Sequence, residues 1–113
     1  MTIIDYPAMN VNKCWQGRRF RTTEFKNWQK NISLIMKANY KGEIYDKEPL
    51  EIILNFYVKR LYSGDTDNLI KAVIDCIKYC KIIKDDRYFI KITAEKIKSD
   101  KNYFGFEIRR YEQ

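Results

Sequence analysis

The amino-acid sequence predicts a single α+β domain over residues 1–113, in which helices pack on a mixed, mostly antiparallel sheet. Two segments repeat apolar residues at steps of three and four, which is typical of amphipathic helices. Other segments alternate apolar and polar residues, which is typical of strands with one buried face. In chain order these segments predict the architecture β-α-β-α-β-β.

The first part of the chain predicts a short strand, a loop and a helix. Residues 2–5 favour the strand, whereas residues 8–21 are polar and basic without periodicity and favour a loop. The helix begins at Thr22 or Thr23, either of which can cap it, and we expect it to end close to Gly42. Its repeating face consists of Phe25, Trp28, Ile32, Ile35, Met36 and Asn39.

A strand and a second helix follow. After Pro49 apolar residues stand at every second position from Leu50 to Val58, with Glu51 and Asn55 between them, which predicts a strand with one buried face. From Asp67 to about Cys80 the apolar spacing returns to three and four, which predicts an amphipathic helix. The apolar positions of this helix are Leu69, Ile70, Val73, Ile74 and Ile77.

The last part of the chain predicts two strands. Alternating runs occupy residues 88–94 and 104–108, and the segment 99–102 between them has the composition of a turn. Because two strands joined by a short turn commonly pair with each other, we expect a hairpin here.

Composition limits the function. The 22 basic and 15 acidic residues give a net charge of +7, which favours a polyanionic partner such as nucleic acid over an ordinary lysine-rich surface. The chain has no histidine, which removes the commonest general base and any Ser-His or Cys-His nucleophile system. The amino terminus has neither a signal peptide nor a membrane-spanning segment. We therefore expect a cytoplasmic protein without a membrane partner.

The three cysteines are Cys14, Cys76 and Cys80. An odd count without a secretory signal argues against a disulfide framework and favours a reducing compartment. Cys76 and Cys80 lie one helical turn apart, but a fourth thiolate and histidine are both missing. We therefore expect buried apolar thiols rather than a zinc site.

Acidic residues gather around the second helix of this basic chain. Asp65 and Asp67 stand at its start, and the pair Asp85-Asp86 follows its end. Repulsion opposes such grouping unless a cation relieves it, and a basic protein that holds Mg²⁺ commonly acts on phosphates. Lys71 and Asp75 follow Asp67 at steps of four and so share its stripe of the helix.

The same acids also have ordinary structural uses. Asp67 can cap the helix, the pair Asp85-Asp86 can form a turn, and Lys71 with Asp75 can be a surface ion pair. A helix of about 13 residues spans about 20 Å. Asp86 therefore meets Asp65 and Asp67 within one protomer only if residues 81–84 run back toward the helix start.

The block Asp65-x-Asp67-Asn68-Leu69-x-Lys71-Ala72, followed by Asp75 and Asp85-Asp86, resembles the RusA family of Holliday junction resolvases, in its phage or prophage type. The resemblance covers residues 64 to about 98, roughly a third of the chain. It implies a homodimeric, Mg²⁺-dependent endonuclease, with Mn²⁺ as the alternative metal, that cuts four-way DNA junctions by paired nicks.

The resemblance also implies residue roles. The catalytic, metal-binding carboxylates are Asp65, Asp67 and Asp86, and Lys71 is the catalytic cation. Asp85 is the alternative for the third carboxylate. The residues expected to support them are Asn68 and Asp75. The residues expected to contact DNA are Asn10, Arg18, Arg19, Arg21 and Lys84.

A non-catalytic DNA-binding module, with the acids acting only as helix caps, is the alternative function. It predicts steeply salt-dependent binding without a metal requirement. Neutralising the acids distinguishes the nuclease from the binding module, since it should strengthen DNA binding by such a module and abolish cutting by a nuclease.

Overall fold

The computed structural model describes residues 1–8, 15–16, 20–21, 23–62 and 66–112. The strands are β1 (Thr2–Ile4), β2 (Trp15–Gln16), β3 (Phe20–Arg21), β4 (Leu50–Val58), β5 (Phe89–Lys98) and β6 (Tyr103–Arg110). The helices are α1 (Thr23–Asn39) and α2 (Thr66–Tyr79), and a 3₁₀ turn covers Asp86–Tyr88. Within these ranges, neither helix has the length and apolar composition needed to cross a bilayer.

Four strands form one mixed sheet in the order β1-β6-β4-β5. The β1–β6 and β6–β4 pairs are antiparallel, and the β4–β5 pair is parallel because α2 returns the chain to the same end of the sheet. The predicted α+β class and element order are therefore confirmed. The predicted loop over residues 8–21 also contains the small antiparallel pair β2–β3.

The predicted hairpin between the last two strands is wrong. β5 and β6 lie on opposite sides of β4 and do not pair with each other. The reversal between them crosses the end of β4, where Ser99 N–H donates to Val58 O at 2.9 Å and Lys59 N–H donates to Asn102 Oδ1 at 2.8 Å. Turn residues specify a reversal but not its width. β4, the strand with the most buried apolar side chains, lies between β5 and β6.

One face of the sheet carries the hydrophobic core. Its floor consists of three antiparallel pairs that join β4 to β6: Ile52 with Ile108, Leu54 with Phe106, and Phe56 with Phe104. The helices cover this floor with the fully buried side chains Ile32, Met36, Val73 and Ile77, among others. The apolar positions predicted for both helices account for most of this contact.

Two of the cysteines lie where α1 and α2 pack together. Cys76 and Cys80 are free and buried, and their thiols approach the carbonyl oxygens of Gln29 and Ser33 on α1 at 4.0 and 3.8 Å. The prediction of buried apolar thiols is confirmed for these two residues. Cys14 lies outside the described residues.

The opposite face of the sheet carries an ion cluster. Glu51 is buried in β4 and accepts a hydrogen bond from Arg109 Nε at 2.7 Å, while Lys91 Nζ lies 3.4 Å away. The hydrogen bond from Arg109 is the main reason why the pKa of Glu51 lies below its ordinary value. The cluster joins β4 to both of its neighbours in the sheet.

This depressed pKa predicts a pH-dependent stability. Charged Glu51 stabilises the fold above its unfolded-state pKa, and that contribution disappears as the pH falls through the lower, folded-state value. The Glu51→Gln variant should unfold at a lower temperature than the wild type at pH 7, and the difference should narrow toward pH 3. Thermal unfolding at several pH values measures this, with exposed Glu112→Gln as the control. A difference that stays constant with pH would contradict the assignment.

Candidate functional site

Helix α2 carries three of the predicted site residues on one stripe. Asp67, Lys71 and Asp75 follow each other at steps of four, and the opposite side of the helix is buried in the core. Asp67 and Lys71 are exposed, whereas Asp75 is half-buried. Asp67 lies in the first turn of α2, at the positive end of the helix dipole.

The stripe borders a groove between α2 and β5, which we call the α2–β5 groove. It has a volume of about 520 Å³ and is lined by Asp67, Ile70, Lys71, Ile74, Asp75, Asp86 and Ile92. The three isoleucines form an apolar floor, and the charged side chains stand around it. Four of the residues predicted for the site thus share one groove.

Asp86 enters the groove from the far end of α2. The helix ends at Tyr79, Lys81 adopts a left-handed backbone conformation with φ of 62°, and the chain turns into the 3₁₀ segment. The carboxylate of Asp85 lies 4.0 Å from Lys78 Nζ, close to the last turn of α2. The connection over residues 81–84 therefore does not run back toward Asp67.

Asp85 has a structural role in this turn. Its carboxylate accepts the backbone N–H of Arg87 at 3.1 Å and lies 3.4 Å from the guanidinium of the same residue. The Arg87 N–H and then a hydrogen bond with Asp86 lower the pKa of Asp85. Asp86 lines the groove and Asp85 does not, but the metal-binding role of either residue stays a prediction.

The carboxylates of one protomer are spread along the groove. Asp75 lies eight residues beyond Asp67, which is a rise of about 12 Å along the helix. In the described part of the chain, no three carboxylate or thiol side chains are close enough to share a metal ion. Asp65 lies outside the described residues, so the predicted set of Asp65, Asp67 and Asp86 stays a prediction.

The ordinary structural use predicted for the Asp85-Asp86 pair, a turn, is present, whereas those predicted for Asp67 and Lys71 are not. α2 begins at Thr66, so Asp67 lies inside the first turn rather than at the cap. Lys71 forms no ion pair with Asp75 or with any other described residue. Asn68 is half-buried beside Asp67 but does not line the groove, so its supporting role is also still a prediction.

Most of the predicted DNA-contacting residues cannot be placed. Asn10, Arg18 and Arg19 lie outside the described residues, and Arg21 is placed only as part of the backbone of β3. Lys84 is exposed in the connection just before Asp85.

Three cationic residues near the start of α2 were not predicted from the sequence as part of the site. Lys59 and Arg60 directly follow β4, and Lys98 ends the neighbouring strand β5. These three line a depression of about 510 Å³ together with Leu61 and Tyr62. The pair Lys59-Arg60 shortly before Asp65 was the available signal in the sequence. Lys98 joins the pair only through the parallel register of β4 and β5.

A larger groove reaches the first turn of α2 at Leu69. It has a volume of about 830 Å³ and reaches from the amino-terminal segment to the end of β4. Its lining includes Lys59, Arg60 and several aromatic side chains, with Leu69 of α2 at one edge. The start of α2 is thus bordered by cations and aromatic rings, which are the groups that bind nucleic-acid phosphates and bases.

The comparison with known families matches this region and most of the chain. A family model described as "Endodeoxyribonuclease RusA" matches residues 7–109, which include β4, α2, β5 and the whole lining of the α2–β5 groove. No curated protein matches the chain.

Proposed function

The chain belongs to the RusA endodeoxyribonuclease family of Holliday junction resolving nucleases, and from this we propose that it cuts four-way DNA junctions by paired, Mg²⁺-dependent phosphodiester hydrolysis. The observation that carries the proposal is the α2–β5 groove, where Asp67, Lys71 and Asp86 stand around one depression. We propose one endonuclease domain over residues 1–113, working on DNA in the cytoplasm. The free thiols Cys76 and Cys80 support a reducing compartment.

The donor set fits a hard divalent cation. Asp67 and Asp86 offer exposed carboxylate oxygens, which are the ligands that Mg²⁺ and Mn²⁺ prefer. We assign Asp65, Asp67 and Asp86 to metal binding. When bound, the cation supplies positive charge at the scissile phosphate and acidifies the attacking water.

Lys71 supplies the remaining charge. Its ammonium group stands one helical turn from Asp67 in the same groove and forms no ion pair with a described residue. It is therefore placed to hold a phosphate oxygen and to stabilise the negative charge that develops during hydrolysis. Ile70, Ile74 and Ile92 form the apolar floor beneath these charged groups.

Two protomers would complete the site. Asp67 and Asp86 stand toward opposite ends of α2, whereas ligands of one Mg²⁺ must each lie about 2 Å from it. A two-fold dimer that packs the two α2–β5 grooves against each other in antiparallel orientation brings Asp86 of the partner subunit to the Asp67 end. Such an interface is isologous and creates two equal sites, which suits two symmetric nicks. The exposed Ile90 and Ile92 of the edge strand β5 offer apolar area for this contact.

Cleavage of a labelled synthetic four-way junction tests the function. With millimolar Mg²⁺ the wild type should introduce paired nicks near the branch point, and it should leave linear duplex of the same sequence intact. Chelation of the metal should stop cutting but not binding. Tight junction binding without cutting, in Mg²⁺ and in Mn²⁺, would instead favour a DNA-binding module without catalysis.

A further inference from the structure

A cationic depression with one exposed aromatic ring lies where β4 and β5 end, shortly before α2 in the chain. We call it the tyrosine platform, and it consists of Lys59, Arg60, Leu61, Tyr62 and Lys98. Three of the five residues are positively charged and none is acidic. Its volume of about 510 Å³ and its charge suit a phosphate together with part of a nucleotide.

The backbone of the platform is held in place by side chains of neighbouring elements. Lys96 Nζ donates to the carbonyl oxygen of Leu61 at 2.8 Å, and Lys98 Nζ donates to that of Lys59. Asn102 Oδ1 accepts the N–H of Lys59 from the other side. Both lysines therefore fix the segment on β5, and they also place positive charge directly beneath it.

Tyr62 projects from this fixed segment into solvent. Its side chain is 97% exposed, the highest value among the large hydrophobic residues that the structure describes. Tyr79 is the next most exposed tyrosine at 55%, whereas Tyr57 and Tyr103 stack on each other with ring centroids 4.3 Å apart. A solvent-exposed ring on a fixed, positively charged segment is suited to stack on a nucleobase of bound DNA, because every nucleobase has a π-face.

We propose that the tyrosine platform binds an unpaired nucleotide at the branch point of the junction, with the Tyr62 ring stacked on its base and Lys59, Arg60 and Lys98 on its phosphates. This inference rests on the proposed function. Asp67 follows Tyr62 by five residues, so at most about 18 Å of extended chain separates the platform from the candidate site. The bound nucleotide and the scissile phosphate can then belong to the same strand.

The platform gives a physical basis for selecting junctions over duplex. In linear duplex every base is stacked and paired, and taking one out costs a few kcal/mol. A branch point offers bases whose stacking is already interrupted, so they reach Tyr62 at a lower cost. The cations contribute to both substrates through the phosphates, whereas the ring contributes to the junction.

Binding without metal tests the platform independently of cutting. In EDTA, Tyr62→Ala should weaken junction binding about tenfold or more and leave the affinity for linear duplex unchanged. Tyr62→Phe should retain the junction affinity because it keeps the ring. Tyr111→Ala is the matched control, because Tyr111 is tied to Pro49 at the opposite end of the sheet and should bind as the wild type does.

Photo-crosslinking locates the contact directly. A junction with 5-iodouracil at the branch point should crosslink to Tyr62 in the wild type and to the ring of Tyr62→Phe, and the crosslink should disappear in Tyr62→Ala. The proposal is overturned if Tyr62→Ala binds the junction as tightly as the wild type, or if it loses junction and duplex binding equally. A protein that never cuts but shows this ring-dependent binding would refute the nuclease function and leave the platform intact.

Discussion

Replacement of Asp67 by asparagine is expected to abolish junction cleavage while leaving junction binding at or above the wild-type level. The change removes one charged ligand from the proposed metal set but keeps the size of the side chain. Because a bound metal ion provides several kcal/mol of transition-state stabilisation, the cleavage rate should fall about 10²- to 10⁴-fold. Binding should not weaken, since the carboxylate repels DNA phosphates.

The fold should tolerate this change. Asp67 is exposed in the first turn of α2, where loss of its charge costs about 1 kcal/mol or less. Asp46→Asn is the matched control, because it removes an exposed acid from the loop before β4, at the other end of the sheet. Cleavage by Asp67→Asn at the wild-type rate, in a single-turnover assay with millimolar Mg²⁺, would remove Asp67 from the catalytic set.

Mixing two inactive variants is expected to restore cutting if each site draws carboxylates from two protomers. Asp67→Asn and Asp86→Asn should each be inactive alone, because every site of either homodimer carries one lesion. In the mixed dimer one site carries both lesions and the other carries none. That dimer should therefore nick one strand of the junction, where the wild type cuts two.

The mixture separates two arrangements of the same residues. If Asp67 and Asp86 act together within one protomer, both sites of the mixed dimer are damaged and no activity returns. Different affinity tags on the two variants allow the mixed dimer to be purified before the assay. A purified mixed dimer without nicking activity would contradict the two-protomer site, and a protein that stays monomeric would contradict it as well.

Local patterns were sufficient for the main elements of the fold. The alternation after Pro49 predicted β4 over residues 50–58, and the structure has the strand at Leu50–Val58. The spacing of apolar residues placed the second helix from Asp67 to about Cys80, and α2 covers Thr66–Tyr79. These features depend on side chains a few residues apart, whose burial on one face of a helix or strand is a property of the segment itself.

The positions of residues that are distant in the chain were not predictable in the same way. The turn composition at residues 99–102 favoured a hairpin, but β4 lies between β5 and β6. The family resemblance assigned Asp86 to the site, and spacing alone left open whether it meets Asp67; the structure brings Asp86 into the α2–β5 groove from the end opposite Asp67. Both the separation of β5 from β6 and the position of Asp86 depend on which strands are neighbours in the sheet. Burial of the apolar side chains of β4 determines that order.

The acids and the lysine of the α2–β5 groove, and hence the kind of chemistry it can perform, follow from residue types and their spacing along the chain. The helix repeat alone aligns Asp67, Lys71 and Asp75. The tyrosine platform and the separation of Asp67 from Asp86 arise in the folded protein instead. Lys59 and Lys98 meet because β4 and β5 run parallel in one register, with Val58 opposite Lys98. Strand register is set by packing across the whole sheet, and no segment of the chain carries that information alone.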